Sequence, residues 1–230
     1  VLIETVRRLL TGARHVAVGA NSPIPAAAAF LEARRDSGLV VSLQQSPQHN
    51  RFTDGGRELF DAAGQGRIDV FFFSGAEIDG TGNINLVAVG KRRFAGCYGS
   101  AFLYFAVPRI VLFRTEHSRR TLVERVSFVS APGTSPPHIW RRGGPVALVT
   151  PLCHFAFDPA VRRFRLASVH PGHTVEEVRD RTGFAFAAPE PVPPTPLPDA
   201  ATLGELRGPV ARQLAAIYPK FTADLWGLKA

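Results

Sequence analysis

Four polar or glycine-rich segments of this sequence each follow an apolar, strand-like run. They are residues 21–23, 42–45, 75–85 and 96–100. In open α/β sheets, ligands bind beyond the carboxyl ends of the strands, so these segments are the first places to look for chemistry. The amide of Asn21 and the hydroxyl of Ser22 are candidate substrate contacts. Ser42 is a third candidate, because it closes an apolar run.

The segment Gly-Cys-Tyr-Gly-Ser has two interpretations. The simpler one is a loop that needs positive φ. In the other, the backbone N–H groups of Gly96, Cys97, Tyr98, Gly99 and Ser100 hold a carboxylate or an oxyanion of the substrate. Cys97 has the chemistry of a nucleophile, but no His is adjacent in the sequence, which favours a small buried thiol.

The segment 75–85 carries two carboxylates and two amides. Asp79-Gly-Thr-Gly-Asn83 is typical of a plain turn. The alternative is a loop in which Asp79, Asn83 and Asn85 structure the floor of a pocket. Glu77 directly follows an apolar run, and desolvation there would raise its pKa toward the range of a general base. We therefore hypothesise an acid–base role for Glu77, against the simpler role of hydrogen-bonding the turn.

The remaining polar residues predict neither a metal site nor a nucleotide motif. His154, His170 and His173 lack a carboxylate at a ligand-like spacing, so no metal is expected. The sequence contains no P-loop and no complete G-x-G-x-x-G motif. Glu116-His117, followed by Arg119 and Arg120, is typical of a solvated turn with weak ion pairs.

Alternating apolar runs and helical patterns must position these candidates. Strand-like runs cover residues 15–19, 39–43, 68–73, 84–89, 109–113, 122–129, 146–150, 154–157 and 164–169. Helical periodicity covers residues 2–10, 25–35, 54–63, 174–181 and 202–217. This alternation predicts an α/β fold with a mostly parallel central sheet flanked by helices. The shorter strands of the C-terminal half predict additional β-hairpins there.

The chain is expected to form one α/β domain over residues 1–188. Six prolines between residues 189 and 198 predict an extended linker or strap over 189–199. Residues 200–230 are expected to contribute a C-terminal helix that packs back on the domain.

The amino-acid composition argues against several classes of protein. Hydrophobic residues make up 45% of the 230 residues, which excludes global disorder. Lys and Arg (27) exceed Asp and Glu (19) by eight, but this charge is spread out and predicts no nucleic-acid partner. Two cysteines favour a reduced, cytoplasmic protein over a disulfide scaffold. No apolar run approaches the roughly 20 residues that cross a bilayer, so no membrane partner is expected.

Several motifs, in chain order, resemble the beta subunit of family I coenzyme A transferases, in the glutaconate CoA-transferase branch. They are residues 75–85, 93–96, 116–120 and 126–133, followed by 144–145, 149–150, 157–158, 170–171 and 182–184. The resemblance extends from about Val16 to Phe186. It implies the α/β fold that this family shares with sugar-phosphate isomerases. It also implies a homologous alpha subunit as partner in a hetero-oligomer, with the active site between the two chains. The implied substrates are an acyl-CoA and a carboxylic acid, so coenzyme A enters as the thioester.

The resemblance also implies a mechanism, from which this sequence departs. In relatives, a beta-subunit glutamate directly after the second strand attacks the thioester and forms an anhydride, then a glutamyl-CoA thioester. Relatives also place the loop that corresponds to residues 96–100 at the site, and often carry Gln in the place of Glu77. No Glu or Asp lies between Asp36 and Asp54 here. Ser42 occupies the glutamate's place to within one residue, with no base visible beside it.

Three functions therefore stay open. The first is CoA transfer between carboxylic acids. The second is hydrolysis or ring opening of a CoA ester, as in an offshoot of the family that acts on steroid-derived CoA esters with an alpha-subunit glutamate. The third is a non-catalytic subunit that completes the partner's pocket.

Overall fold

The structure is a computed structural model and describes residues 1–228. Its helices are α1 (Leu2–Arg8), α2 (Pro23–Arg35), α3 (Gly55–Gly64), α4 (Ser100–Ala106), α5 (Val175–Arg181), α6 (Ala200–Glu205), α7 (Ala211–Ala215) and α8 (Pro219–Trp226), with a π-helical turn at Leu206–Val210. Its strands are β1 (His15–Val18), β2 (Val40–Leu43), β3 (Val70–Phe73), β4 (Glu77–Asp79), β5 (Ile84–Asn85), β6 (Ala88–Val89), β7 (Arg92–Arg93), β8 (Arg109–Phe113), β9 (Leu122–Val123), β10 (Pro145–Val149), β11 (Cys153–Asp158) and β12 (Arg163–Val169).

A seven-stranded sheet forms the centre, in the order β12-β11-β10-β8-β3-β1-β2. The strands from β10 to β2 pair in parallel. The strands β11 and β12 join them antiparallel, as a hairpin at one edge. The predicted α/β fold, with a mostly parallel sheet and a C-terminal hairpin, is therefore confirmed.

Helices cover both faces of this sheet, which explains why most residues of its parallel strands are apolar. In β3, Val70 and Phe72 face one core while Phe71 faces the other. The first core contains residues of α1, α2, α7 and the π-helical turn. The second core contains residues of α3, α4 and α5. The alanines at 26–29 in α2 are fully buried, and their small side chains let this helix lie close to the sheet.

Two of the strands predicted from the sequence are shorter or interrupted in the structure. The run 122–129 is a strand only at Leu122–Val123, because the following chain turns to donate its Val126 and Ser127 amides to buried carboxylates. The run 84–89 is divided into β5 and β6. Asn85 Oδ1 accepts hydrogen bonds from the amides of Val87 and Ala88, and this local turn interrupts the strand.

The proline-rich segment 189–199 runs beside the edge strand β12. The Val169 amide donates to Pro193 O at 3.1 Å, and the Thr195 amide donates to Val169 O at 2.7 Å. The pattern that predicts one helix over 202–217 is instead divided by a π-helical turn that contains Pro209, which lacks an N–H to donate. The domain division at 188 and 199 stays a prediction. Residues 229 and 230, the last of the predicted C-terminal segment, lie outside the described residues. Among the helices of residues 1–228, none is long and apolar enough to cross a bilayer.

Candidate active site at the carboxyl edge of the sheet

A cavity of about 320 Å³ opens where β1, β2, β3 and β8 end. We call it the edge cavity. Its apolar lining includes Leu59, Phe71, Phe73, Leu86, Leu103 and Phe113. Its polar lining includes Asn21, Ser22, Gln44, Ser74, Cys97, Tyr98 and Ser100. Three of the four segments singled out in the sequence therefore meet at this cavity, as the carboxyl-edge rule predicts.

The edge cavity carries no charged side chain of this chain. Within residues 1–228, none of its lining residues is Asp, Glu, His, Lys or Arg. A site built in this way can bind an apolar acyl chain and polarise a carbonyl group. It cannot by itself supply the carboxylate that anhydride chemistry requires.

The turn after β1 presents Asn21 and Ser22 to the edge cavity. Asn21 has φ +55°, and its amide donates a 2.7 Å hydrogen bond to Gln45 Oε1. The Ser22 hydroxyl donates to Ala20 O at 3.2 Å. The side chain of Gln45 thus ties the end of β2 to the end of β1.

Gln44, and not Ser42, presents its side chain to the edge cavity. Gln44 directly follows β2, and its amide donates to Val18 O at 3.0 Å, which continues the parallel pairing with β1. Alternate residues of a strand point to the same face of the sheet. Ser42 therefore points to the same face as Gln44, but it lies two residues further from the carboxyl end of the strand. Ser42 is fully buried and is not part of the cavity wall.

The hydroxyl of Ser42 is occupied by a histidine that the sequence did not reveal as its neighbour. His15 Nε2 lies 2.7 Å from Ser42 Oγ, and His15 Nδ1 lies 3.0 Å from the carbonyl oxygen of Arg67. A carbonyl oxygen only accepts, so Nδ1 carries the proton and Nε2 accepts from Ser42. Burial lowers the pKa of His15, which favours this neutral form. The pair resembles a nucleophile and its base, but no substrate reaches a fully buried hydroxyl.

These positions change the residue that stands in the place of the family glutamate. The resemblance implies a glutamate directly after the second strand, and the residue directly after β2 here is Gln44. A glutamine amide does not form an acyl anhydride. The geometry therefore does not support Ser42 as a catalytic residue, and it leaves the edge cavity without a carboxylate nucleophile from this chain.

The loop 96–100 forms another wall of the edge cavity. Gly96 has φ +109° and Tyr98 has φ +47°. The requirement for positive φ therefore explains part of the amino-acid sequence of this loop. Within residues 1–228, the backbone N–H groups of Cys97, Tyr98 and Gly99 have no backbone or side-chain acceptor. The buried Ser100 hydroxyl also lacks a partner there. The donors of Cys97, Tyr98 and Ser100, which line the cavity, are available to a carbonyl or carboxylate oxygen there.

Two glycines bring this loop close to α3. A Cβ added to Gly99 would lie 2.1 Å from the Phe60 ring, and one added to Gly56 would lie 1.7 Å from the Tyr98 hydroxyl oxygen.

Cys97 is a free, half-buried thiol at the cavity wall. Gly96 and Gly99 shape the loop without lining the cavity.

The geometry favours the simpler role of Glu77, that of hydrogen-bonding the turn, over the hypothesised acid–base role. Its Oε2 accepts hydrogen bonds from Asn85 Nδ2 at 2.8 Å, from the Ser127 amide at 2.8 Å and from the Ser127 hydroxyl at 2.7 Å. Burial raises the pKa of Glu77, but these hydrogen bonds outweigh burial and hold the pKa below its usual value. Glu77 also lies outside the edge cavity. Its carboxylate joins three chain segments instead.

Asp79, Asn83 and Asn85 brace the small sheet beside the site. Asp79 Oδ1 accepts from the Thr81 amide at 3.0 Å and from the Asn83 amide at 3.1 Å. Asn83 Oδ1 accepts from the Gly133 amide at 2.9 Å. None of the three side chains lines the edge cavity. Their geometry fits the simpler interpretation of the segment as a hydrogen-bonded turn.

Two buried histidines have structural partners. His117 lies between the hydroxyls of Thr150 and Thr182, at 2.8 and 2.9 Å. His170 lies between the Thr195 hydroxyl and Thr150 O, at 2.8 and 2.9 Å. Burial lowers the pKa of each histidine to about 4. In the part of the chain that the structure describes, no group of three His, Cys, Asp or Glu side chains is placed to hold a metal ion.

Comparison with known proteins decides the family. The protein-family model described as coenzyme A transferase matches residues 3–181, most of this chain. The chain belongs to the coenzyme A transferase family. The glycine-rich loop, the edge cavity and all five parallel strands of this family member lie within the matched residues.

Two curated members of the coenzyme A transferase family are similar to this chain. The beta subunit of the 3-oxoadipate CoA-transferase of Pseudomonas knackmussii is 33% identical over 162 residues, which are 66% of this chain and 62% of the relative. The beta subunit of the glutaconate CoA-transferase of Acidaminococcus fermentans is 30% identical over 127 residues, which are 50% of this chain and 47% of the relative. The chain thus spans less than two thirds of either relative's length.

A solved structure of the decarboxylase AibA/AibB is similar over nearly the whole chain. The TM-score is 0.77 at 28% sequence identity, with 90% of this chain and 91% of that chain covered. The fold of a coenzyme A transferase family member is therefore also found in a protein described as a decarboxylase.

Proposed function

We propose that this chain is the beta subunit of a coenzyme A transferase family enzyme that moves CoA from an acyl-CoA thioester to a carboxylic acid. The family match supports the reaction class, and both curated relatives are described as the corresponding subunit of a CoA-transferase. The observation that carries the proposal is the edge cavity. It is apolar at its floor and rich in hydrogen-bond donors at its rim.

The residues of this chain would bind and polarise the substrate. The phenylalanines and leucines of the floor accept an apolar acyl chain, because such surfaces lose contact with water on binding. The free N–H groups of the loop 96–100 donate to the thioester oxygen as negative charge develops on it. Asn21 and Ser22, which also line the cavity, would contact the substrate through their polar groups. Coenzyme A enters as the thioester, and the proposal includes no metal.

A homologous alpha subunit would complete the site. The described residues of the edge cavity supply no carboxylate, so the partner supplies the carboxylate that forms the anhydride and then the thioester with CoA. The rim beside the cavity offers a surface for such a partner. Tyr98 is 76% exposed and Phe102 is 44% exposed. Both rings contact Phe60, with centroids 5.3 and 6.0 Å away, so they form one exposed aromatic surface.

The proposed compartment is the cytoplasm. Cys97 and Cys153 are both free thiols, as expected where thiols are kept reduced.

Labelled water separates CoA transfer from hydrolysis. The enzyme is purified with its natural partner and given glutaryl-CoA, acetate and water enriched in oxygen-18. CoA transfer produces acetyl-CoA, and glutarate then carries no more oxygen-18 than exchange controls. Solvent oxygen in glutarate without acetyl-CoA formation would contradict the proposal and identify a hydrolase.

A further inference from the structure

A cavity of about 510 Å³ lies at the amino ends of the parallel strands, on the side of the sheet opposite to the edge cavity. We call it the amino-end cavity. Its wall includes Pro108, which directly precedes β8, and Pro145, with which β10 begins. Phe113, at the other end of β8, lines the edge cavity. A strand rises about 3.3 Å per residue, so the two cavities are about 16 Å apart along β8.

The amino-end cavity has the size and the apolar surface of a small-molecule site. Its volume lies in the range of ligand cavities in proteins. Its apolar wall consists of Pro108, Pro145, Val146, Phe157 and Pro159. The apolar body of a ligand would lose its contact with water against these side chains, which favours binding.

The charged side chains of the cavity wall are two arginines. Arg141 and Arg162 line the cavity, and none of its lining residues is Asp or Glu. Neither arginine forms an ion pair within residues 1–228. Asp158, on the same turn as Arg162, is outside the wall, and its Oδ1 accepts from the Ala160 amide at 2.9 Å. The wall therefore carries positive charge that suits an anion.

Arg141 is held in place and still has an unpaired buried N–H. Its Nη1 donates to Pro132 O at 3.0 Å and its Nη2 donates to Tyr104 O at 2.8 Å. Its Nε is buried and has no partner among the described residues. A Cβ added to Gly144, which lines the cavity, would lie 4.0 Å from this Nε. Leaving a buried donor unpaired is unfavourable, and an anion in the cavity would supply the missing acceptor.

Arg162 occupies a backbone position that arginine rarely adopts. Its φ is +57°, in the left-handed region. Glycine or asparagine is the usual residue at such a position in a hairpin turn, so arginine is not chosen here for the ease of the turn. Its side chain instead brings a second guanidinium to the cavity wall.

Neutral donors accompany the two guanidinium groups. The backbone N–H groups of Thr134, Ser135 and Gly144 line the cavity and have no backbone or side-chain acceptor within residues 1–228. Thr134 and Ser135 also offer their hydroxyls. A phosphate group has three strongly accepting terminal oxygens, so it can use donors from several chain segments at once.

We propose that the amino-end cavity binds a phosphate monoester of a small metabolite with an apolar body. The phosphate contacts Arg141 and Arg162, and the apolar body packs on Pro145 and Phe157. The site is separate from the edge cavity, so the inference does not rest on the proposed function. The 3′-phosphate of coenzyme A has the same chemistry. However, a coenzyme A with its thioester in the edge cavity would have to pass from one edge of the sheet to the other.

The test uses two probes that share a phosphate but differ in their apolar part. Phenyl phosphate carries a ring, whereas inorganic phosphate carries none. Isothermal titration calorimetry on the enzyme purified with its partner is expected to give a Kd about 10- to 100-fold lower for phenyl phosphate, because burial of the ring adds to binding. Arg162→Asn is expected to raise the Kd of phenyl phosphate about tenfold. Asparagine tolerates the left-handed region, so this variant is expected to fold normally.

Two further variants localise the binding. Arg141→Gln removes the half-buried guanidinium and is expected to raise the Kd of phenyl phosphate at least about tenfold. If Arg141→Gln does not fold, Arg162→Asn still decides the test. Arg163→Gln is the control, because Arg163 directly follows Arg162 but is outside the cavity wall. The Kd of phenyl phosphate should be unchanged in this control.

Absence of binding at millimolar phenyl phosphate would overturn the inference. So would equal affinity for the two probes, or an unchanged Kd of phenyl phosphate in Arg162→Asn. Displacement of phenyl phosphate by coenzyme A, with the same dependence on Arg162, would also overturn it, because it would assign the arginines to a phosphate of coenzyme A.

Discussion

The hydroxyl of Ser42 donates a 2.7 Å hydrogen bond to Nε2 of His15, and Ser42 has no exposed surface. His15 belongs to β1 and Ser42 to the neighbouring parallel strand β2, in which Ser42 is paired with Ala17 of β1. This contact holds Ser42 beneath the wall of the edge cavity, and the following residue on the same face, Gln44, reaches the cavity. A serine near the place of a family nucleophile is thus part of the sheet.

Ser42→Ala tests that structural role. The substitution removes one buried hydrogen bond, so we expect the free energy of unfolding to fall by about 1 kcal/mol. Turnover by the complex with its partner should stay within about threefold of the wild type. Urea unfolding and steady-state kinetics measure the two quantities. A loss of activity by several orders of magnitude in a normally folded variant would instead identify Ser42 as a nucleophile.

Gln44→Glu places a carboxylate at the edge cavity. We expect the variant chain, in complex with its partner and supplied with glutaryl-CoA, to form a glutamyl-CoA thioester and to gain the mass of CoA less one water, because one carboxylate oxygen of the new glutamate leaves with the released glutarate. Intact-mass spectrometry of the separated chains detects this adduct. Gln45→Glu is the control, because Gln45 is exposed and its side chain hydrogen-bonds the Asn21 amide. A CoA adduct on this chain in the wild type would show that another residue is the nucleophile.

Glu77→Gln distinguishes bracing from catalysis. Glu77 accepts three hydrogen bonds on one oxygen, so its removal at pH 7 should lower the free energy of unfolding by about 1–3 kcal/mol. Because the folded pKa of Glu77 lies below its usual value, this stabilisation is present above pH 4.5 and is lost as the pH falls through the folded pKa. The difference from the wild type should therefore shrink in acid. Turnover should be retained, and its abolition would revive the acid–base role.

The buried histidines predict that acid destabilises the fold. Burial lowers the pKa values of His117, His154 and His170 to about 4. Between about pH 6.5 and pH 4 the unfolded chain binds protons that the folded chain does not, so the free energy of unfolding decreases as the pH falls. Each such histidine contributes a slope of about 1.4 kcal/mol per pH unit in that window.

His154→Leu isolates one of these slopes. The Nε2 atom of His154 is buried without a partner among the described residues, so the substitution removes a titrating group without breaking a hydrogen bond there. Urea unfolding at pH 8 and at pH 5 should show a smaller loss of stability in the variant than in the wild type. The measurement at pH 8, where the imidazole is neutral, is the internal control. An unchanged loss would contradict the lowered pKa.

The sequence alone was sufficient to predict the sheet and the segments at its carboxyl edge. The alternation of Phe71 and Phe72 between two cores follows from the period of a strand, and the parallel sheet follows from apolar runs separated by helical patterns. Asn21 lines the cavity because it follows the carboxyl end of β1, and Cys97 lines it from the loop before α4. These are local patterns, visible without knowledge of distant contacts.

The contacts that decide the roles of Ser42 and Glu77 are not local. His15 reaches Ser42 only through the register of β1 against β2. Glu77 is buried as its position predicts, but its pKa is lowered by hydrogen bonds from Asn85, eight residues later, and from Ser127, which lies 50 residues later in the chain. Burial alone predicts the opposite direction of the pKa shift, and only the folded structure supplies the hydrogen bonds.

The most direct test of the account is native mass spectrometry of this protein, purified from its source cells without over-expression. The edge cavity lacks a carboxylate from this chain within the described residues, so we expect a hetero-oligomer. Peptide sequencing should identify its second chain as a coenzyme A transferase family member with a carboxylate available to the site. A stable homo-oligomer without a second chain, active in CoA transfer, would contradict the account.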